Sequence, residues 1–261
     1  MTSQGHSRRR YATYCINLQD RPERRTSAIR YLNKLKIRDP IFPLLHKDRR
    51  GGVYGCFDSH MKVWKDFMAT GSKYCLIFED DFCFEEKPKA MRKMLKKAET
   101  FIRTNDSRVD VLFLHNNYIP DDTNDLNDDC FENGFGASTH AYFITRRYIE
   151  SILSKQGNRV SYLAQLPQGD HFDACINFID TDEVFSKNVY FVRSRCFLQL
   201  RGSRSDNYTS AFDEMFRSED PNECFETINY LFWVMKITTN MSYVDLKKVA
   251  HVFHILLNNQ Q

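Results

Sequence analysis

The 261-residue chain is 42% hydrophobic and 14% aromatic, which supplies enough apolar surface for a folded core and excludes a largely disordered chain. Its net charge of +3 is too weak to argue for a nucleic-acid partner, and no run of about 18 apolar residues marks a membrane span. The basic N-terminal stretch lacks an apolar segment before the first expected strand, so no signal peptide is read and a cytoplasmic setting, bacterial or viral, is expected. The eight cysteines contain no C-x-x-C pair, and Cys15, Cys56, Cys75 and Cys175 lie in apolar contexts. They read as reduced, buried thiols, which leaves the sequons at Asn207 and Asn240 unused.

Residues 1–10 form a basic arm, followed by a strand over Tyr11 to Leu18. A helix opens near Pro22, a residue suited to the first helical position, with Ala28, Ile29, Leu32 and Leu35 on one face. Gly51, Gly52 and Gly55 mark a loop. Cys56, His60, Val63, Trp64 and Phe67 then recur at helical spacing, and Gly71 lies just past the helix end. Tyr74 to Phe78 is a continuous apolar run, as expected of a strand covered on both faces. A helix from Lys87 to Arg103 and a strand from Val109 to Leu114 follow, with Met91, Leu95 and Ala98 opposite a solvated basic face. The acidic segment PDDTNDLNDDCFENGFG reads as a long, solvated loop, a candidate lid. The strand AYFIT, a helix over Arg146 to Ser154 and the strand-like NVYFVRSRCFLQL come after it. Strands alternating with helices predict an α/β fold over residues 11–210. Residues 211–261 carry apolar stripes at helical spacing, a C-terminal extension suited to core or homodimer contact.

The candidate chemistry lies in KYCLIFEDDF, where the apolar strand runs into Glu79, Asp80 and Asp81. This is the carboxyl end of a buried strand, the edge where open α/β sheets bind ligands. Two carboxylates about 4 Å apart repel by roughly 4 kcal/mol at an effective dielectric of about 20. A divalent cation with oxygen ligands, Mg²⁺ or Mn²⁺, would relieve that repulsion; a solvated loop satisfied by Lys and Arg is the plainer alternative. In an extended chain residues two apart share a side, so Glu79 and Asp81 are expected to face one way, with Asp81 on the metal and Asp80 turned from it. Arg21, Arg24 and Arg25 follow the first strand at the start of a helix, a setting that suits an anion such as a diphosphate.

In order and spacing, INLQDRPERR, GVYGCFDSHMKVW, YCLIFEDDF, GASTHAYFITRRYIESIL and LPQGDHFD resemble glycosyltransferase family 25 across residues 11–206. That family includes lipopolysaccharide-type and collagen hydroxylysine transferases. The resemblance implies a GT-A, Rossmann-like fold with a mixed, mostly parallel sheet. It also implies transfer of galactose or glucose from a UDP-sugar to a saccharide or protein hydroxyl, with inversion. By motif, Asn17, Leu18, Arg21 and Arg25 would lie near the nucleotide, and Gly55, Ser59 and His60 would shape the donor pocket. Ser205-Asp206 loosely resembles the family's closing Ser-Asp, which would put Asp206 among the donor-binding residues. Glu79, Asp80 and Asp81 would hold Mn²⁺ or Mg²⁺ on the diphosphate. Asp170 is the first candidate for the base that activates the acceptor hydroxyl and Asp173 the second, although Asp170 would equally bind a sugar hydroxyl or cap a helix. The turn Gly52-Val53-Tyr54-Gly55-Cys56 lacks the acidic residue usual there, a departure that bears on donor contacts or acceptor choice. Two other readings compete: an inert nucleotide-sugar-binding module, and a metal-dependent phosphohydrolase, for which no second carboxylate or histidine set is found.

Overall fold

The computed structural model describes residues 11–49, 52–115, 118–120, 126–136, 139–154, 188–194 and 196–200. The basic arm, Asp170, Asp173, Asp206 and the C-terminal extension with its dimer stripes lie outside these residues.

The chain begins with β1 (Ala12–Ile16) and α1 (Pro22–Lys34), continues through α2 (Gly52–Met68), β2 (Tyr74–Glu79) and β3 (Phe82–Cys83), and reaches α3 (Pro88–Thr104). Next come β4 (Val111–Phe113), β5 (Tyr118–Pro120), β6 (Phe131–Gly136), β7 (Ala141–Thr145) and α4 (Arg146–Ser154), then β8 (Val189–Val192) and β9 (Leu198–Gln199). Seven strands form one sheet in the order β1-β2-β7-β4-β8-β6-β5, and β3 pairs with β9 in a second, two-stranded sheet. Within the large sheet β1, β2, β4, β5 and β8 run one way, and β6 and β7 run against them. The expected α/β class with a mixed sheet, most of its strands codirectional, is what the chain adopts.

The pleat sorts the core into two layers. Cys15, Leu76, Phe78, Leu112 and Phe143 join Ala28 and Leu32 of α1 and Met91, Leu95 and Ala98 of α3. Tyr14, Cys75, Ile77, Val111, Tyr142 and Ile144 join Trp64 and Phe67 of α2 and Tyr148 and Ile149 of α4. Alternate residues of a strand point to opposite faces, so α1 and α3 cover one face and α2 and α4 the other. This double cover explains why Tyr74 to Phe78 is apolar without a break, and all five of those residues are buried. The end of α2 is closed by Arg146, whose guanidinium donates to the carbonyls of Phe67, Met68, Thr70 and Ser72, a cation where the helix dipole favours one.

Some sequence expectations are corrected. The Pro120 to Gly136 segment is not loop throughout, because FENGFG pairs as β6 against β8. There Phe131 packs on Phe101, Asn133 donates to the Val189 carbonyl at 2.7 Å, and buried Glu132 meets Arg193 at 2.9 Å. These long-range partners override a local composition that favours turns. Gly52 and Gly55 belong to the first turns of α2 and not to a loop before it. A side-chain carbon at Gly55 would stand 3.2 Å from Asp48 Cβ, so close packing against the preceding segment accounts for this glycine. Ile29, expected on the buried face of α1, is 39% exposed. The strand-like NVYFVRSRCFLQL divides into β8 and β9, which enter different sheets. The described cysteines, Cys15, Cys56, Cys75, Cys83, Cys130 and Cys196, are all free thiols.

Candidate functional site

The site forms where β1 and β2 end side by side. Their parallel register pairs Ile16 with Glu79, so the next residues, Asn17 and Asp80, leave the sheet together. Asn17 Nδ2 donates to Asp80 Oδ2 at 2.7 Å and to the Arg21 carbonyl at 3.1 Å, tying the strand end to the start of α1. Arg24, in the first turn of α1, donates to Asp80 Oδ1 at 3.1 Å and stands 3.7 Å from Asp81 Oδ2. Both carboxylates are buried, as is Asn17. Burial pushes the Asp80 carboxyl above its usual range, and Asp81 beside it adds to the shift, while hydrogen bonds from Asn17 and the charge of Arg24 pull the other way. The Leu200 amide donates to the Asp81 carbonyl at 2.7 Å, which fixes the backbone after the turn.

Glu79 occupies the other face. It has the parity of Cys75 and Ile77, which puts its side chain on the α2 side, whereas Asp80 has the parity of Leu76 and Phe78 and goes to the α1 side. Glu79 Oε1 lies 3.2 Å from His60 Nε2 and accepts from the Thr139 hydroxyl. His60 is fully buried in α2, and its Nδ1 lies 2.7 Å from the Tyr142 hydroxyl, which also accepts from Trp64 Nε1 at 3.3 Å. Burial raises the Tyr142 phenol well above its ordinary value. The antiparallel pairing of β7 with β2 sets Ala141 opposite Phe78 and carries Thr139 and His140 to this same edge, where the His140 carbonyl accepts the Glu79 amide at 3.0 Å.

The expectation that Glu79 and Asp81 share a side is therefore overturned. Extended geometry ends at Glu79, and the chain turns through Asp80 and Asp81 before β3. That turn returns Asp81 to the α1 side, so Asp80 and Asp81 converge on Arg24 and Glu79 faces away from them. Asp80, expected to turn from Asp81, is instead held beside it by Asn17 and Arg24.

The other sequence candidates divide as well. Asn17 and the backbone of Leu18 and Arg21 are at the site, the Arg21 amide bonding to the Leu18 carbonyl at 3.1 Å. The Arg25 guanidinium stacks over the Phe42 ring at 4.4 Å. Buried Ser59 donates to the Gly55 carbonyl of its own helix at 2.6 Å, so the hydroxyl serves α2. Two residues at the site had not been selected. Arg24 stood among three arginines at the start of α1, and no local signal set it apart from Arg21 and Arg25. Thr139 could have been found only by knowing that AYFIT pairs antiparallel to β2.

Fold and site together define an α/β protein with clustered acidic side chains at the carboxyl edge of its sheet, beside an arginine-bearing helix start. Residues 50–160 match the model of glycosyltransferase family 25 (LPS biosynthesis protein), which bears out the resemblance read from the motifs over that stretch. The match contains α2, the Glu79-Asp80-Asp81 segment, β7 and Thr139; β1, Arg24 and the LPQGDHF motif lie outside it. No curated protein matches the chain. Among solved structures, a glycosyltransferase involved in the glycosylation of the major capsid of PBCV-1 aligns at a TM-score of 0.46 and 9% identity, covering 74% of this chain and 95% of that one. Mannose-1-phosphate geranyltransferase from Thermus thermophilus aligns at a TM-score of 0.41 and 10% identity, covering 80% and 79%. Both are distant likenesses, and the site is read from this chain's own residues.

Proposed function

We propose that the chain is a metal-dependent glycosyltransferase that moves a hexose, galactose or glucose, from a UDP-sugar to a hydroxyl of a saccharide or protein acceptor, with inversion. The observation that carries this reading is the convergence of Asp80, Asp81, Asn17 and Arg24 at the sheet edge, beside a segment that matches the family.

The donor set fits a hard divalent cation. Asp80 and Asp81 present only oxygens, with the Arg24 guanidinium beside both. Asp81 would hold the ion, with Asp80 as its neighbour, and Glu79 would not contribute because its carboxylate faces His60 and Thr139. Bound there, Mn²⁺ or Mg²⁺ supplies charge neutralisation for a departing diphosphate. Asn17 fixes the Asp80 carboxylate, and Arg24 keeps the two acids from separating. Arg21, Arg24 and Arg25 put three cations within about one turn of the start of α1, the end of the helix whose dipole also favours an anion. The acceptor hydroxyl requires a base, a role this reading gives to Asp170 first and Asp173 second. No described helix is long and apolar enough to cross a membrane.

The test is a panel of UDP-sugars with Mn²⁺ and candidate acceptors, read as UDP release, with EDTA and Asp81→Ala as controls. Turnover of one UDP-hexose that both controls abolish is the expected result. Full activity in EDTA removes the metal from the reading. UDP binding without turnover of any donor turns it into a binding module.

A further inference from the structure

The residues on the α2 side of the β2 end form a second polar cluster that the sugar-transfer reading does not use. Cys56 and His60 are one helical turn apart on α2, and Glu79 approaches them from the end of β2. One ligand atom from each, Cys56 Sγ, a His60 ring nitrogen and a Glu79 carboxylate oxygen, lies within 4.8 Å of the other two. Among the described residues this is the group of His, Cys and acidic side chains arranged to hold a metal ion.

We propose that Cys56, His60 and Glu79 form a three-ligand site for a borderline-soft divalent cation, Zn²⁺ by preference. The site is separate from the hard-cation site proposed at Asp80 and Asp81. Four features support this assignment. The donors are one sulfur, one nitrogen and one oxygen, the set that zinc takes and that Mg²⁺ and Ca²⁺ do not. Ligand bonds of about 2.0 to 2.3 Å in a tetrahedron put donor atoms roughly 3.5 Å apart, and His60 Nε2 and Glu79 Oε1 already stand at 3.2 Å. A thiolate, a carboxylate and a neutral imidazole cancel the ion's two charges, which suits a cluster in which His60 is fully buried and the other two are half-buried.

The fourth feature is the surrounding hydrogen bonds. Metal-bound histidines donate their second N–H to an oxygen, and here Nδ1 faces the Tyr142 hydroxyl at 2.7 Å, itself anchored by Trp64 Nε1–H at 3.3 Å. The Thr139 hydroxyl donates to Glu79 in the same way. Without the ion, the same residues form a consistent proton-linked set: Tyr142 O–H donates to Nδ1, and Nε2–H donates to Glu79. Binding releases the Cys56 thiol proton to solvent and moves the ring proton to Nδ1, which then donates to Tyr142. The ion would clamp the first turns of α2 to the end of β2, with a fourth coordination position left for water or another ligand.

The test uses the full-length protein. With Zn²⁺ present, alkylation of Cys56, mapped by mass spectrometry, should slow at least tenfold, whereas the half-buried Cys83 should react at an unchanged rate. Co²⁺ should give a thiolate-to-cobalt charge-transfer band that Cys56→Ser abolishes and Asp81→Ala retains. Cys56→Ser should also lose the bound zinc that the wild-type protein holds at one equivalent per chain. Equal alkylation rates of Cys56 with and without zinc overturn the proposal. So does a cobalt band that survives Cys56→Ser, or zinc that is lost from Asp81→Ala and kept by Cys56→Ser. Because Cys56 protection is measured on the wild-type protein, a failure of the variants to fold does not shelter the idea. All three readouts are independent of sugar transfer.

Discussion

The two sides of the β2 end carry the same kind of side chain and use it differently. On the α1 side, the carboxylates of Asp80 and Asp81 meet the Arg24 guanidinium, and the Asn17 amide donates to Asp80. On the α2 side, Glu79 meets a histidine and a hydroxyl, with a thiol one helical turn away on α2. Three successive carboxylates thus enter two environments because the pleat sends neighbours to opposite faces and the chain turns after Glu79. The lesson is that an acidic run at a strand end is not one ligand set. The helix on each face decides what each acid can hold, an arginine-rich helix start on one and a Cys-His helix turn on the other.

The comparison can be broken most directly through activity. Asp81→Ala is expected to lower UDP-sugar turnover by about a thousandfold, the scale seen when charge stabilisation of a leaving group is removed. Asp81→Asn should raise the Mn²⁺ concentration for half-maximal turnover more than Glu79→Gln does. Equal shifts in that titration would mean that the two sides act as one site. The next effect is on stability. Arg24→Met leaves Asp80 buried beside Asp81 without its cation and should cost about 3 kcal/mol in denaturant unfolding. Adding Asp80→Asn should recover part of that loss, and no recovery would show that Arg24 acts through packing alone.

On the α2 side, Tyr142→Phe removes the oxygen shared by His60 and Trp64 and should cost about 1 to 2 kcal/mol. Chemical denaturation measures it, and no loss would mean that the chain from Trp64 to Glu79 is not structural. The smallest effect is pH-dependent. The Asp80 carboxyl is raised above 3.8 in the folded chain, so between those two values the folded state binds more protons than the unfolded state. Its contribution to stability is present below the unfolded value and is lost as pH rises through the raised folded one. Asp80→Asn should therefore gain stability relative to wild type as pH climbs through that window and level off above it. Melting curves across acid pH check the sign; a relative loss with rising pH would show that Arg24 and Asn17 outweigh burial.

Much of the fold was legible in the chain. The unbroken run Tyr74 to Phe78, Pro22 at a helix start and the helical spacing from Cys56 to Phe67 each depend on neighbours a few residues away. The elements they predicted formed. FENGFG was misread because its glycines and asparagine suit a turn, and only pairing with β8 makes it a strand. At the site, the acidic triplet and Asn17 could be selected from the sequence. Arg24 could not be chosen from among its neighbours, nor Thr139 from its motif, because each meets the carboxylates across the sheet edge, 56 residues from Asp80 in one case and 60 from Glu79 in the other.

By itself, the sequence determined that KYCLIFEDDF is a buried strand delivering carboxylates to a sheet edge, since hydrophobic periodicity and strand polarity are local properties. Only the tertiary structure decided which carboxylate faces which partner. That outcome depends on where extended geometry stops, on which helix covers each face, and on an antiparallel neighbour supplied some 60 residues later. No spacing within the triplet encodes those three facts, and they place Asp80 and Asp81 with Arg24 and leave Glu79 with His60.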